Sequence, residues 1–369
     1  MKRMIPLILA ALFATAADAR ELRIAPGAPP AHPSNSHLYT KLMEFLPEVS
    51  GGKLTAQLLG PEVVGLGQMK DALQSQLVEV GNLLPLYFPA DLPNMSLAGE
   101  LALSGREPHA MAAAMTEYIV TCDTCQAELK KFGIVYLGSG SSDVYALLTN
   151  KPVKSAADIK GLRLRSGGAP FSRWAENFGA VPASIPVGDT FESMSQGVID
   201  GSIASIGDLL SFRLVELVKN VTIIPLGTYH ATSDFSVANS AWQSLSAEER
   251  KQLVTAANRA NVVFTQRWGY DMAAAAREAA EKAGIAFLDP DADFLKASED
   301  FAQADKATAA KVSQERFGFE DAQARVDRFA GLVEKWNGIV KDANGDPEVI
   351  TRRLDEEVWS KIDTATYGL

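Results

Sequence analysis

Between residues 20 and 90 the spacing of apolar residues changes period four times. "ELRIAPG" alternates and stops at Pro26 and Gly27, as a short strand does. "PSNSHLYTKLMEFLPEVSGGK" places Leu38, Leu42, Phe45, Leu46 and Val49 at helical spacing, with Ser36 as a plausible N-cap and Gly51 and Gly52 as the stop. "KLTAQLL" is a second strand, "GLGQMKDALQSQL" a second helix and "VEVGNLLP" a third strand. Strands that alternate with helices over short connections pair in parallel, with the helices crossing over the sheet. Such sheets take ligands at the carboxyl ends of their strands.

The alternation resumes after "FGIVYLGSGSS". "VYALLT" is a strand, "SAADIKG" a short helix, "LRLR" a strand, "PFSRWAENFG" a helix, "VPASIP" a strand and "DTFESMSQG" a helix. "VIDGSIAS" then returns toward the middle, and "ATSDFSVANSAW" is a strand long enough to pass between lobes. From Leu245 the chain is almost wholly helical, beginning with about 38 residues of nearly unbroken helix that suit an element spanning two lobes. The expected architecture is α/β: two lobes hinged as a clamshell, joined by crossing strands and a long helix. Residues 20–141 with about 226–262 form the first lobe, and about 142–225 with about 263–369 the second.

The chain opens with "MKRMIPLILAALFATAADA", a basic start at Lys2 and Arg3, an apolar run from Ile5 to Leu12 and a small-x-small close at Ala17 to Ala19. This reads as a secretory signal peptide over residues 1–19, since the apolar run falls well short of the ~20 residues a bilayer span needs. Export to the periplasm and a soluble mature chain without membrane insertion are expected. Removing Lys2, Arg3 and Asp18 takes away a net +1, so the formal charge of −10 becomes −11. That acidity argues against nucleic acid as a partner, although a buried site sets its own local field. Cys122 and Cys125, in "TCDTC", are compatible with a structural disulfide in an oxidising compartment or with buried thiols. They sit late in the helical pattern of "MAAAMTEYIVTCDTCQAELKKFG", which argues against a redox motif, and no second pair or histidine cluster supports zinc.

The chemistry concentrates in "KGLRLRSGGAPFSRWAENFGAVP". Arg165 stands where a strand ends, before Gly167 and Gly168 and the start of a helix. A guanidinium there offers a planar fork suited to a carboxylate. The glycines allow close backbone approach, and the helix N-terminus adds partial positive charge. Arg163 shares the strand face if the strand is regular.

"APGAPPAHP", "SGGKL", "VKSAADIKGLRLRSGG" and "FGAVPASIPVGDTFESMSQGVIDG" occur in this order over nearly all of the mature chain. In these stretches the chain resembles the solute-binding proteins of TRAP transporters, the tripartite ATP-independent periplasmic type, in their dicarboxylate-receptor branch. The resemblance implies a periplasmic-binding-protein clamshell that binds a small organic acid without chemistry and delivers it to the membrane subunits of a TRAP permease. It also implies that Arg165 forms a bidentate salt bridge with the ligand carboxylate.

Two departures from the family pattern bear on the ligand. A second arginine often precedes the first; its position here falls near Tyr145. The Q-E-N-P run that follows D-G in many members is here "SIAS" after Asp200 and Gly201, so Ala204 replaces the amide and Ser205 stands beside it. Fewer charge-binding groups favour a monocarboxylate; Phe171 and Trp174, three residues apart on one helical face, either give it an apolar or aromatic wall or, as such faces more often do, belong to the core. His32, Asn82, the turn at Gly67 and Gln68, and Tyr87 are first-lobe candidates at strand ends. No carboxylate cluster calls for a metal, and no cofactor motif is present. Two other readings remain: a periplasmic receptor that signals to a docking partner, and a secreted hydrolase. "SGGK" matches S-x-x-K, but S-D-N and K-T-G are missing and none of the four histidines sits in a motif.

Overall fold

The computed structural model describes residues 19–369; the leader expected over residues 1–19 lies almost wholly outside them. Eleven strands are seen among these residues: β1 (Arg20–Ala25), β2 (Leu54–Leu58), β3 (Val80–Leu83), β4 (Ile134–Tyr136), β5 (Ala146–Thr149), β6 (Arg163–Ser166), β7 (Val181–Ser184), β8 (Gly201–Ala204), β9 (Asn220–Thr222), β10 (Ser233–Ala238) and β11 (Ala286–Leu288). They form two sheets, ordered β2-β1-β3-β10-β4 and β11-β9-β5-β8-β6-β7. In the first, β1, β2 and β3 run parallel and β10 runs against both of its neighbours. In the second only β5 is antiparallel to its neighbours. The alternation of β1 is real: Leu22 and Ile24 are fully buried while Glu21 and Arg23 face out.

Two segments carry the chain between the sheets, 137–145 from β4 to β5 and 223–232 from β9 to β10. They run side by side as an irregular ladder. Ser142 N–H donates to the Tyr229 carbonyl (3.0 Å), Tyr145 N–H to the Gly227 carbonyl (2.7 Å) and Leu226 N–H to the Tyr145 carbonyl (3.0 Å). Gly227 holds φ +75°, and a Cβ there would lie 1.9 Å from the Ala102 carbonyl oxygen, so the crossing packs against the first lobe only with glycine. The crossing is thus made by the residues before β10, and β10 itself is a central strand of the first sheet.

The long helix is also a crossing. It runs through Ala247–Gln266, a π-turn at Arg267–Asp271, and Met272–Lys282. A capping box of Ser246 and Glu249 starts it. Its first part packs on the helix Thr40–Ser50 of the first lobe and its last part on the short helix Asp208–Ser211 of the second. A second long helix, Ala292–Phe317, also touches both lobes, through Pro93–Gly99 and Ala169–Asn177.

Three expectations are corrected. Residues 322–369 were expected with the second lobe, but Ala322–Asp342 and Pro347–Glu357 pack against Pro108–Val120 and Ala247–Gln266. The reason lies in "PHAMAAAMTEYIV", which is buried almost all round and so requires cover on its outer side as well. Phe329, Trp336, Ile350 and Leu354 supply apolar faces, and Trp336 Nε1 donates to Glu117 (2.7 Å). Second, the stretch holding the cysteines is two helices, Pro108–Val120 and Asp123–Phe132, with Cys122 at the N-cap of the latter. The pair therefore does open a helix. It forms a disulfide with both cysteines buried and Cα atoms 5.1 Å apart, the geometry of a structural staple. Third, Ser36 caps nothing: it lies inside a π-turn, Ser34–Tyr39, and donates to the His32 carbonyl.

Candidate functional site

The strand ends of the two lobes face one another across a narrow cavity of about 30 Å³. Its lining includes His32, Asn82 and Tyr87 from the first lobe, Tyr145, Arg165, Asp208 and Phe212 from the second, and Tyr229, Thr232, Phe264 and Trp268 from the crossing segments and the long helix. Of the residues expected from sequence, His32, Asn82, Tyr87, Tyr145 and Arg165 are brought together here.

Arg165 is 1% exposed. Its strand neighbours hold the backbone, and its side chain is fixed at two nitrogens: Nε donates to the Ile185 carbonyl (3.0 Å) and Nη2 to the Tyr87 hydroxyl (2.8 Å). The Tyr87 hydroxyl also accepts from Val187 N–H (3.0 Å), so one phenol of the first lobe ties two groups of the second. A guanidinium has five N–H donors, and no carboxylate among the described residues forms an ion pair with this one. Arg163, two residues earlier, does the opposite: it is half-exposed and bonds Asp200 through Nε and Nη2, both at 3.0 Å. Gly167 lies close behind the fork, where a Cβ would come 3.3 Å from Arg165 Nη1 and 3.2 Å from the Tyr229 ring. Gly168 packs under Leu86, with 2.8 Å from a built Cβ to Leu86 Cδ1. Both glycines border the wider mouth outside the cavity rather than the cavity itself.

The walls are aromatic on two sides. Tyr145, Phe171 and Tyr229 lie nearly parallel, with centroids 5.2 to 6.4 Å apart. Opposite, His32 packs on Phe212 (5.4 Å) and edge-on to Trp268 (5.6 Å), which stacks with Phe264 (5.1 Å). Phe171 thus stands behind Tyr145 and does not line the cavity. Trp174 is corrected outright: it is fully buried among Phe178 and Phe294, with Nε1 donating to Ser298 (2.9 Å). Its helix face points into the core beneath Ala292–Phe317. Ser205 is buried and accepts from Gly207 N–H (2.9 Å), shaping the turn after β8 rather than lining the space.

His32 is a neutral donor. Burial pushes its ring down to about 3. Nδ1 accepts from Ser34 N–H (3.1 Å), which leaves the proton on Nε2. Asp208 is a site residue that strand ends and motifs did not single out. It follows the turn at the carboxyl end of β8, the neighbour of β6, and is 3% exposed. Burial pushes its carboxyl up to about 8, with Arg165 pulling it down and Asp143 raising it further. In "SIGDLLSF" it reads as one polar residue in an apolar turn; its place just past a strand end was the available signal. Trp268 was hidden inside the long helix, where the π-turn swings it inward. Tyr229 Oη, Trp268 Nε1 and Asn82 Oδ1 are buried at this cavity without protein partners.

An unpaired buried cation, a few orphan polar groups and apolar walls make a pocket suited to holding and orienting an anion. A solute-binding protein of Albidiferax ferrireducens is 25% identical over 192 residues, covering 52% of this chain and 45% of that protein. The chain therefore spans less than half the length of this curated relative. Among solved structures, an aromatic-acid-specific TRAP solute-binding protein from an unidentified marine microbe, complexed with 3-hydroxybenzoate, has a TM-score of 0.77 at 23% identity, over 86% of this chain and 99% of that one. A TRAP solute-binding protein of Rhodoferax ferrireducens, with copurified benzoate, has a TM-score of 0.77 at 19% identity, over 87% and 100%. Both share the two-lobed fold. The family model for bacterial extracellular solute-binding proteins, family 7 (DctP), matches residues 24–311, and the chain belongs to that family.

Proposed function

We propose that this protein is an extracytoplasmic receptor that captures a small organic monocarboxylate with a flat apolar body and delivers it to a TRAP permease. The observation that carries the reading is Arg165, a buried guanidinium held at Nε and Nη2 and left without a protein carboxylate. A buried charge is tolerated when paired; here the pairing anion is the ligand's. Its carboxylate meets the remaining N–H groups of the fork, and its body lies between the Tyr145–Tyr229 layer and the His32–Phe212–Trp268 side. A site with one cation suits one carboxylate. The benzoate and 3-hydroxybenzoate bound by the two structural relatives agree with this size and chemistry.

Binding requires no chemical step. Lobe closure would bring Tyr87 onto Arg165 and Val187 and bury the acid. Release would follow docking on the permease, and the leader over residues 1–19 would take the chain to the periplasm. The test is a thermal-shift screen of the mature chain against benzoates, phenylacetates, short 2-hydroxy and 2-oxo acids, C4-dicarboxylates and sugar acids. A ligand at 100 times its Kd stabilises by about 2.7 kcal/mol. A shift with monocarboxylates that vanishes in Arg165→Ala supports the reading; shifts only with dicarboxylates or sugar acids, or with none, overturn it.

A further inference from the structure

Asp208 has no counterpart in the carboxylate-binding account, yet it is built into the same cavity. It and Arg165 leave from the carboxyl ends of β8 and β6, which are hydrogen-bonded neighbours with Arg165 paired to Ser202. The turn that presents Asp208 is held at three points: Asp208 N–H donates to the Ser205 carbonyl (3.1 Å), Gly207 N–H to Ser205 Oγ (2.9 Å) and Ile206 N–H to Asp143 (3.2 Å). The carboxyl is thus buried and positioned. Among the described residues no side chain or backbone donor bonds it, and no cation forms an ion pair with it.

The carboxyl opens onto the cavity, and with no protein donor its hydrogen-bond partner has to come from what the cavity holds. Nothing about the fold requires an acid here, since the short helix Asp208–Ser211 has Gly207 at its N-cap and no side-chain cap. Nor is it part of a metal site: among the described residues no group of three His, Cys, Asp or Glu could hold an ion. The remaining partner is whatever occupies the cavity. Arg165 anchors that occupant at one place; Asp208 offers an acceptor at another, between aromatic walls that hold the body flat.

Building on the reading of the Arg165 cavity as a carboxylate site, we propose that Asp208 is a second anchor, accepting a hydrogen bond from a hydroxyl or N–H on the bound acid. The cavity then selects monocarboxylates that carry such a donor over the same acids without it.

The experiment measures Kd by titration calorimetry for benzoate, phenylacetate, the three hydroxybenzoates, 3-hydroxyphenylacetate and mandelate, in the wild type, Asp208→Ala, Asp208→Asn and Arg165→Ala. In the wild type at least one hydroxylated acid should bind about fivefold or more tightly than its parent, the worth of a hydrogen bond accepted by the carbonyl oxygen of a protonated carboxyl. In Asp208→Ala that ratio should fall to about one, and in Asp208→Asn, which keeps an acceptor oxygen, to an intermediate value. An unchanged ratio in Asp208→Ala means the carboxyl meets only water, and overturns the proposal while the Arg165-dependent binding of benzoate stands. The proposal is likewise overturned if no hydroxylated acid outbinds its parent. Should neither parents nor hydroxylated acids bind, the carboxylate reading fails and this proposal fails with it.

Discussion

Two arginines of the second lobe, eight residues apart in sequence and both drawn in from the surface, have opposite surroundings. Arg173 reaches out of the helix Ala169–Asn177 to two carboxylates: Nη1 to Glu100 of the first lobe (2.6 Å), Nε and Nη2 to Asp305 of the long helix Ala292–Phe317 (2.7 and 2.8 Å). Glu100 and Asp305 are each 4% exposed, so the charges are satisfied within the protein and tie three elements together. Arg165 has a carbonyl, a phenol and open space. The difference is what marks one arginine as structural and the other as a receptor for an anion: both are withdrawn from water, and only the missing carboxylate distinguishes the ligand site.

The comparison breaks first at Arg173. Arg173→Ala should leave two buried carboxylates unpaired and lower stability by about 3–5 kcal/mol, seen as a large drop in Tm, whereas Arg165→Ala strands no carboxylate and should leave Tm nearly unchanged. Equal drops in the two variants would erase the distinction.

Next in size is an effect of pH. Burial raises Asp143 to about 7 and Asp208 and Asp234 to about 8, above the ~3.9 of an unfolded aspartate, so the folded chain holds protons that the unfolded chain releases. Stability therefore falls as pH rises from about 4 toward 8. His32 and His230, lowered to about 3 and 4, oppose this trend only below about 6.5, where unfolded histidines take up protons. The clean window is about pH 6.5–8: Tm of the ligand-free protein should climb as pH drops through it, and less steeply in Asp208→Asn. A flat or inverted slope would show that these acids are ionised in the fold.

Tyr87→Phe sharpens the contrast at smaller scale. It removes the first-lobe hydroxyl that accepts from both Arg165 and Val187 of the second lobe, and ligand affinity should fall by about 1 kcal/mol, or about fivefold, with the ranking of acids preserved. Arg163→Ala gives the smallest effect. Its pair with Asp200 lies at the surface, where water and salt screen it, so Tm should barely move and affinity for the acid should not change.

How far the sequence could be read follows from the same physics. Strand ends are legible, because an apolar run that stops before glycine or proline is a local signal; it marks Arg165, Asn82 and His32, whereas Tyr145 comes from the family pattern, at the position of a second arginine. Trp174 was misplaced because an inward helix face looks the same whether it meets a core or a pocket, and here the helix Ala292–Phe317 covers it. Asp208 has only a weak local signal, a single polar residue just past a strand end, and Trp268 depends on a π-turn in a continuous helix that no local pattern marks. The packing of residues 322–369 on the first lobe likewise rests on long-range complementarity with Pro108–Val120, which periodicity alone does not reveal.

The central claim is that Arg165 is kept unpaired for a ligand carboxylate. Titration calorimetry of the best-binding monocarboxylate against the wild type, Arg165→Lys and Arg165→Ala tests it most directly. Affinity should fall by at least about thirtyfold in Arg165→Ala and recover only in part in Arg165→Lys, because an ammonium cannot reproduce the planar fork. Affinity within a factor of about two of wild type in Arg165→Ala would contradict the account.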